Sequence, residues 1–300
     1  MKAEPVLDAR CSLGEGPVWD EREARLYFVD IMAGRVHRYS PASGALETME
    51  TREPVGAAAL CDDGGLLCAL QSGFAVAGRF GAELRLLASY EGAAPDIRMN
   101  DGKCDPQGRF WAGTMAMDFR PGAGALYRLD PDGRVTRVLE GVTISNGLDW
   151  TADGSRMYYI DSPRRMIEVF DFDPGRGTIS NRRPFAAIED GAGIPDGMTL
   201  DAEGRVWAAL WGGGAVRCYG PDGKLLEVVE VPAPLTTSCA FGGPDFAELY
   251  ITTAREGLTE SQLAQAPLSG GIFRARPGAR GRPANRFRRA QGNRAADPVS

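Results

Sequence analysis

The sequence is poor in histidine, with His37 as the single imidazole among 300 residues. Several chemistries need imidazoles elsewhere in the chain and are therefore excluded, namely Ser-His-Asp and Cys-His nucleophile systems, His-rich zinc sites and di-iron bundles. His37 itself lies in the alternating stretch GRVHRYS, which is typical of a strand that faces two environments. Any catalysis is therefore expected to depend on oxygen ligands, carboxylates or arginine.

Paired cysteines are also missing, because the six cysteines are scattered singly and lack the C-x-x-C spacing of a zinc site. They are Cys11, Cys61, Cys68, Cys104, Cys218 and Cys239. We expect free thiols in the core.

Long apolar runs are absent as well. The longest are strand-sized, well below the roughly 18 residues that a membrane helix needs, so no membrane partner is expected. The opening residues MKAEPVLDAR carry acids where a signal peptide needs an apolar stretch, and a cytoplasmic location is predicted. With 43% apolar and 25% charged residues, the chain has the composition of a globular protein with a real core.

The net charge of −6 is unevenly distributed along the chain. The stretch from Arg274 onward holds eight arginines and one acid, Asp297, so the rest of the chain is more acidic than the total suggests. An acidic body argues against a nucleic-acid partner and suits a cation. The segment 274–300 is rich in Arg, Gly and Pro without apolar periodicity, and we expect a flexible, solvated terminus; polyanion binding is the alternative.

A turn followed by a β-rich run recurs six times, at intervals of roughly 41 to 50 residues, the range of propeller blades. The turns start at Asp20, Cys61, Asp105, Thr151, Asp201 and Gly243. Each copy continues into a hairpin-like segment, which gives about four short strands per copy. The sequence therefore predicts an all-β fold, a six-bladed β-propeller with four-stranded antiparallel blades, as a single domain over residues 1–273. The N-terminal EPVLDARC is expected to add an outer strand to the last blade and close the ring.

The repeat register places one position of each blade at the central channel, five residues before each turn. These positions are Glu15, Gly56, Asn100, Asn146, Asp196 and Ser238. Glu15, Asn146 and Asp196 would form a ring that repels itself unless a cation lay inside it. Donors of this type favour a hard ion such as Ca²⁺, Mg²⁺ or Mn²⁺. The alternative is that the Asn-Gly and Asp-Gly pairs here are ordinary turn residues.

Several longer phrases resemble the senescence marker protein, gluconolactonase and luciferin-regenerating enzyme family. They are LGEGPVWD from Leu13, RMNDGKCDPQGRFWAGTM from Arg98, ISNGLDWTADGSRMYYIDS from Ile144, IPDGMTLDAEGRVW from Ile194 and TTSCAFGG from Thr236. The resemblance runs from about Leu13 to Phe273. It implies a six-bladed propeller with one catalytic divalent cation in the channel and lactonase activity on aldonolactones. Ca²⁺ is the first expectation for that cation, with Zn²⁺, Mn²⁺, Mg²⁺ and Fe²⁺ as alternatives.

The resemblance also implies roles for individual residues. By matching motifs, the metal ligands are Glu15, Asn146 and Asp196, the trio that the register selects. The substrate contacts are Arg98, Asn100 and the acidic position after AGTM, which is Asp118 here and glutamate in other members. Asp101 is implied as an outer-shell or weaker ligand.

The predicted function is metal-dependent hydrolysis of a sugar lactone to the aldonic acid, with this small molecule as the partner. Asp196 is predicted to be the general base for the attacking water, and the competing assignment makes it a ligand only. Arg98 offers a planar fork of donors for sugar oxygens. The alternatives are a non-enzymatic calcium-binding or regulatory propeller and a related pentonolactonase or esterase, because propellers serve all these functions. Trp111 and Trp207 are expected to pack between blades, and Lys103 is unassigned.

Overall fold

The protein is a six-bladed β-propeller, and each blade is a four-stranded antiparallel sheet. The structure, a computed structural model, describes residues 1–290. In every blade the strands pair in order from the channel outward. This confirms the fold that the six sequence copies predict.

The innermost strands are β2 (Gly14–Asp20), β6 (Val55–Leu60), β10 (Ile97–Cys104), β14 (Ser145–Trp150), β18 (Ile194–Leu200) and β22 (Thr236–Gly242). The second strands are β3 (Arg25–Asp30), β7 (Leu66–Leu70), β11 (Phe110–Ala116), β15 (Arg156–Asp161), β19 (Val206–Trp211) and β23 (Glu248–Thr253). The third strands are β4 (Arg35–Tyr39), β8 (Gly73–Ala77), β12 (Gly124–Leu129), β16 (Met166–Asp173), β20 (Ala215–Tyr219) and β24 (Ile272–Ala275). The outer strands are β5 (Leu46–Glu50), β9 (Arg85–Ala88), β13 (Val135–Val142), β17 (Thr178–Ala187), β21 (Leu225–Glu230) and, for blade 6, β1 (Glu4–Leu7).

The ring closes through blade 6, as predicted. Strand β1 pairs antiparallel with β24, with Glu4 opposite Arg274, and the two side chains form an ion pair of 2.6 Å. Each innermost strand packs against the innermost strands of the neighbouring blades, so that β22 returns to β2 and completes the ring. Closure thus joins the N-terminal and C-terminal ends of the chain in one sheet.

The core lies between adjacent blades and is made of aliphatic and aromatic side chains. Trp111 is 0% exposed and Trp207 is 1% exposed, which confirms that they pack between blades. Both indole N–H groups donate to the aspartate that begins the preceding turn, Asp105 at 3.0 Å and Asp201 at 2.9 Å. All six cysteines are free and buried, as expected.

Outside the strands, the chain forms the short helix α1 (Glu260–Gln265). It begins with a capping box, in which Thr259 and Gln262 bond to each other's backbone N–H groups. No helix in the described part of the chain is both long enough and apolar enough to cross a membrane.

The C-terminal segment differs from the expected solvated terminus. Strand β24 continues to Ala275, and residues 276–290 then run across the end of the propeller at which the innermost strands end. Phe287 is fully buried, and its backbone forms an isolated parallel β-bridge with Cys61. The Arg286 guanidinium forms an ion pair with Asp20 at 2.6 Å. For residues 276–290 the expectation of a solvated terminus is therefore wrong, because arginines pair with acids at the ends of the blades. The rest of the predicted tail, 291–300, lies outside the described residues.

Candidate active site in the propeller channel

The six register positions all lie on the innermost strands, near the end of the channel at which those strands begin. We call this the upper end and the opposite end the base. Every innermost strand has an irregularity in its pairing at this level. On β10, for example, Asn100 and Asp101 together oppose Gly113. A β-bulge of this kind re-aims side chains, which explains how consecutive polar residues reach the channel.

The Asn-Gly and Asp-Gly pairs lie inside strands, so the alternative that they are turn residues is wrong. The glycines serve the contact between blades instead. A Cβ added at Gly147 would lie 2.7 Å from the carbonyl oxygen of Asp196, and one at Gly197 would lie 2.1 Å from Ser238 Oγ. Only glycine allows the neighbouring innermost strands to approach this closely.

Three carboxyl groups are buried together at the upper end. Glu15 is 4% exposed, Asp196 6% and Asp101 7%. Burial, followed by repulsion from Asp196 and Asp101, raises the pKa of Glu15 well above its ordinary value. Burial and repulsion from Asp101 likewise raise the pKa of Asp196. Burial raises the pKa of Asp101 to about 6, although the Lys103 ammonium opposes the shift.

These groups fit a divalent cation on their own chemistry. Oxygens are the donors, the carboxylates repel one another, and the Arg98 guanidinium is the cation whose charge lowers the pKa of both Glu15 and Asp196. Three carboxylates outnumber the Arg98 guanidinium, and Lys103 is already paired with Asp149, so the cluster keeps excess negative charge that a hard divalent ion would balance. Glu15, Asn146 and Asp196 are the residues that would hold it.

A hydrogen-bonded chain fixes the polar side chains around the carboxylates. Arg98 Nη1 donates to Asn100 Oδ1 at 2.6 Å, and Asn100 Nδ2 donates to Asn146 Oδ1 at 3.2 Å and to the Ser145 carbonyl at 2.8 Å. Asn146 Nδ2 donates to Ser162 Oγ at 2.8 Å. This last bond turns Asn146 Oδ1, the atom that could ligate a cation, away from Ser162.

Ser162 is a further residue of this region, and no sequence motif assigns it a role. It follows β15 directly, and its hydroxyl donates to the Pro195 carbonyl at 2.7 Å, so it joins blade 4 to blade 5 beside Asp196. Blade 1 has Ile31 at the matching position after Asp30. A polar residue where another repeat has isoleucine is the sequence signal that could have identified it.

Asp118 lies in the turn after β11, with its side chain 62% exposed. In the described part of the chain its carboxylate accepts from Arg120 alone, with Nη1 at 3.0 and 3.1 Å from its two oxygens, and Arg120 also binds Asp96 at 2.6 Å. The Arg120 backbone N–H and guanidinium lower the pKa of Asp118. Its role in substrate binding stays a prediction.

A cavity of about 90 Å³ lies in the channel beneath the acidic cluster. Its wall includes Asp101, Lys103 and Asp149, and residues 282–285 of the C-terminal segment close it at the base. The Lys103 ammonium donates to Asp149 Oδ2 at 3.1 Å and to the Met198 carbonyl at 2.9 Å. Lys103 therefore links blades 3, 4 and 5 inside the channel.

The fold is a six-bladed β-propeller with buried carboxylates facing its channel, an architecture that both enzymes and binding proteins use. The chain belongs to one family within it: the profile of the SMP-30/gluconolactonase/LRE-like region matches residues 13–255. The resemblance stated from the sequence motifs is thereby confirmed.

Individual relatives extend the similarity over nearly the whole chain. Regucalcin from Xenopus laevis is 40% identical over 280 residues, which cover 91% of this chain and 94% of that protein. The crystal structure of a calcium-binding protein, regucalcin, from Agrobacterium tumefaciens superposes with a TM-score of 0.91 at 30% identity, covering 96% of this chain and 97% of that one. A luciferin-regenerating enzyme superposes with a TM-score of 0.87 at 32% identity, covering 95% and 100%.

Proposed function

We propose that this protein hydrolyses sugar lactones to aldonic acids with the help of one divalent cation in its channel. The observation that supports the proposal is the placement of Arg98 and Asn100 beside three buried carboxyl groups. A cation site that only stabilised the fold would need oxygen ligands, whereas a buried guanidinium offers donors and no ligand atom. The family, which includes gluconolactonase, supports a lactone as the substrate.

Each of the residues in the channel can take a separate role in ester hydrolysis. Asp196 accepts the proton from the attacking water and returns it to the ring oxygen that leaves when the acyl C–O bond breaks. Arg98 is 6% exposed and donates to oxygens of the polyol, while Asn100, held by Arg98 and Asn146, orients them. When bound, a divalent cation supplies Lewis-acid polarisation of the lactone carbonyl. Glu15, Asn146 and Asp196 would hold it, with Ca²⁺ as the first candidate because one structural relative is described as calcium-binding.

The alternative function is that of a calcium-binding propeller without enzymatic activity. The name of that relative favours it. The two functions differ in what Arg98 does, because a binding protein has no use for a buried arginine fork beside its ion.

The test is a pH-indicator assay on a panel of aldonolactones, with chelator, Ca²⁺, Mn²⁺, Mg²⁺, Zn²⁺ or Fe²⁺. We expect turnover that chelator abolishes and one of these ions restores. Asp196→Asn keeps an oxygen ligand and removes the base, so the cation should stay bound while kcat falls by about 10² to 10⁴-fold. Loss of both cation and turnover would make Asp196 a ligand only. A wild-type protein that binds Ca²⁺ and hydrolyses no lactone or simple ester would support the binding function instead.

A further inference from the structure

A second cluster of potential metal ligands lies away from the channel, where the N-terminal segment meets blade 1. It consists of Cys11, Asp30 and His37, and one ligand atom from each lies within 4.8 Å of the other two. All three are buried, at 1%, 5% and 6% exposure. They come from three segments, the loop before β2, the end of β3 and the middle of β4. From this geometry we infer a structural site for a transition-metal ion of the Zn²⁺ class.

The donor set differs in kind from that of the channel. A thiol, an imidazole and a carboxylate are the three side chains that Zn²⁺ takes in proteins, whereas the channel offers oxygens. Ion binding would replace the Cys11 thiol proton by a metal–sulfur bond and release that proton to solvent. The ion would then balance the charges of the thiolate and of Asp30 in a region that water does not reach.

The surroundings of the cluster hold its ligands in place. His37 Nδ1 lies 2.9 Å from the Thr48 hydroxyl, and with Nδ1–H donating there, Nε2 carries the lone pair that a metal takes. Its ring stacks on Phe28, with 4.9 Å between ring centroids. Asp30 accepts the backbone N–H groups of Ser12 at 2.9 Å and Leu13 at 3.0 Å. Such outer hydrogen bonds are what metal-bound histidines and carboxylates normally have.

Blade 4 provides an internal comparison. Asp161 accepts the backbone N–H groups of Thr143 and Ile144 in the way that Asp30 accepts those of Ser12 and Leu13. The aspartate alone is therefore a feature of blade construction and needs no ion. In blade 4, however, the position of Cys11 is taken by Val142, and that of His37 by Glu168, which pairs with Arg164 and Arg182.

Cys11 and His37 are thus additions of blade 1, at the place where the ring is closed. The Cys11 backbone N–H donates to the Gly270 carbonyl at 2.9 Å, in the loop that precedes β24. The nearby cation, Arg35, is bound to Glu50 at 2.9 Å, so its charge is balanced. An ion bound here would fasten the N-terminal loop to blade 1 beside the β1–β24 closure.

The experiment uses the full chain produced in medium supplemented with Zn²⁺ or Co²⁺, because the buried ligands would load during folding. Cobalt bound to Cys11 should give sulfur-to-cobalt charge-transfer absorption in the near ultraviolet, which the oxygen ligands of the channel cannot produce. We expect this band in the wild-type protein and its loss in Cys11→Val, which installs the residue that blade 4 carries at this position. By elemental analysis the wild-type protein should hold one more tightly bound zinc per chain than Cys11→Val, since any zinc in the channel is common to both.

Two further variants keep the result interpretable. Cys68→Ser removes an equally buried thiol in blade 2 and should retain the band. His37→Gln should shift or abolish the band while circular dichroism shows the β fold intact. The inference is overturned by a folded wild-type protein without the band, or by a band that survives in Cys11→Val. Lactone turnover in the Cys11→Val protein should equal that of the wild type, because the channel keeps all its residues.

Discussion

Asp196 lies among carboxyl groups, and their repulsion determines its protonation state and its affinity for a cation. Its carboxyl is buried beside Asp101 and Glu15, with Arg98 as the cation that lowers its pKa. A carboxylate in such a place is either protonated, neutralised by an ion or available to take a proton from a reactant. The sequence predicts this mutual repulsion, because the repeat register places the acidic residues at one level of the channel.

Asp118 is a residue whose predicted role the structure leaves untested. The motif predicts a substrate contact, and the structure shows an exposed carboxylate bound to Arg120. We keep the contact as a prediction, with Asp118 turning from Arg120 to a sugar hydroxyl. One charged hydrogen bond contributes about 1.5–3 kcal/mol, so Asp118→Asn should lower kcat/KM by about 10 to 150-fold for the lactone concerned.

The matched control for this prediction is Arg120→Gln, which frees Asp118 from its observed partner. If Asp118 contacts substrate, Arg120→Gln should leave kcat/KM equal or higher, opposite to Asp118→Asn. Steady-state kinetics on gluconolactone and a pentonolactone measures both. Equal, small effects of the two variants would show that Asp118 serves only as the partner of Arg120.

At the level of elements, the bulged innermost strands determine where the site lies. The neighbouring strands approach so closely that Gly147 has the Asp196 carbonyl and Met198 side chain where a Cβ would be. Gly147→Ala should therefore destabilise the fold by about 1–3 kcal/mol through overpacking and weaken cation binding, because the displaced strand carries Asp196. Urea unfolding and calorimetric titration with Ca²⁺ measure the two effects.

Gly175→Ala is the control for this prediction, since its nearest neighbour, Asp173 Oδ1, would lie 3.3 Å from the added Cβ. It should change the free energy of unfolding by less than about 0.5 kcal/mol. Unchanged stability and Ca²⁺ affinity in Gly147→Ala would show that the strands can separate without moving the site.

The order and register of the strands were predicted best from the sequence, because short-range contacts within each repeat determine them. Repeated turns such as those at Asp105 and Asp201 fix strand order and register, because each aspartate binds the same arginine and tryptophan positions after it. The bulges could not be predicted, since an extra residue in a strand leaves no mark in an alternating pattern. The cluster of Cys11, Asp30 and His37 was missed because its members are far apart in sequence and share no spacing motif.

The charge of the channel affects the stability of the whole molecule. The folded-state pKa values of Glu15, Asp101 and Asp196 lie above their unfolded values, that of Asp101 at about 6. The folded protein therefore binds these protons more readily than the unfolded chain does. In chelator, stability should rise as the pH falls from 7.5 towards 5.5, and bound Ca²⁺ should give its largest increase in Tm at the higher pH.

Thermal unfolding with chelator and with Ca²⁺ across this range checks the prediction, with Asp101→Asn as the comparison. His37, whose pKa burial lowers, acts in the opposite direction and is the same in both proteins. Asp101→Asn should flatten the pH dependence in chelator. A wild-type Tm in chelator that falls steadily from pH 7.5 to 5.5 would mean that the acidic cluster is not the dominant titrating group.

The C-terminal segment, residues 276–290, also contributes to the stability of the whole molecule, because it spans the base of the propeller. Residues 276–290 bond to the ends of several blades: the Phe287 backbone exchanges hydrogen bonds with Leu60 and Asp62, Arg288 N–H donates to Gly108, and the Arg280 carbonyl accepts from Ala202. Arg289 adds an ion pair with Asp63. Such contacts are long-range, and an arginine-rich stretch without apolar periodicity gave no sign of them.

Phe287 is the centre of this contact, and its replacement tests whether the segment belongs to the fold. It is 0% exposed and packs into the core between blades 2 and 3, so Phe287→Ala should lower the free energy of unfolding by about 3–5 kcal/mol. Phe119→Ala removes a phenylalanine that is 60% exposed and should change it by less than about 0.5 kcal/mol. Truncation after Arg276 should lower stability at least as much as Phe287→Ala. If that truncated protein unfolded at the same urea concentration as the full chain, residues 277–290 would add nothing to the stability of the propeller.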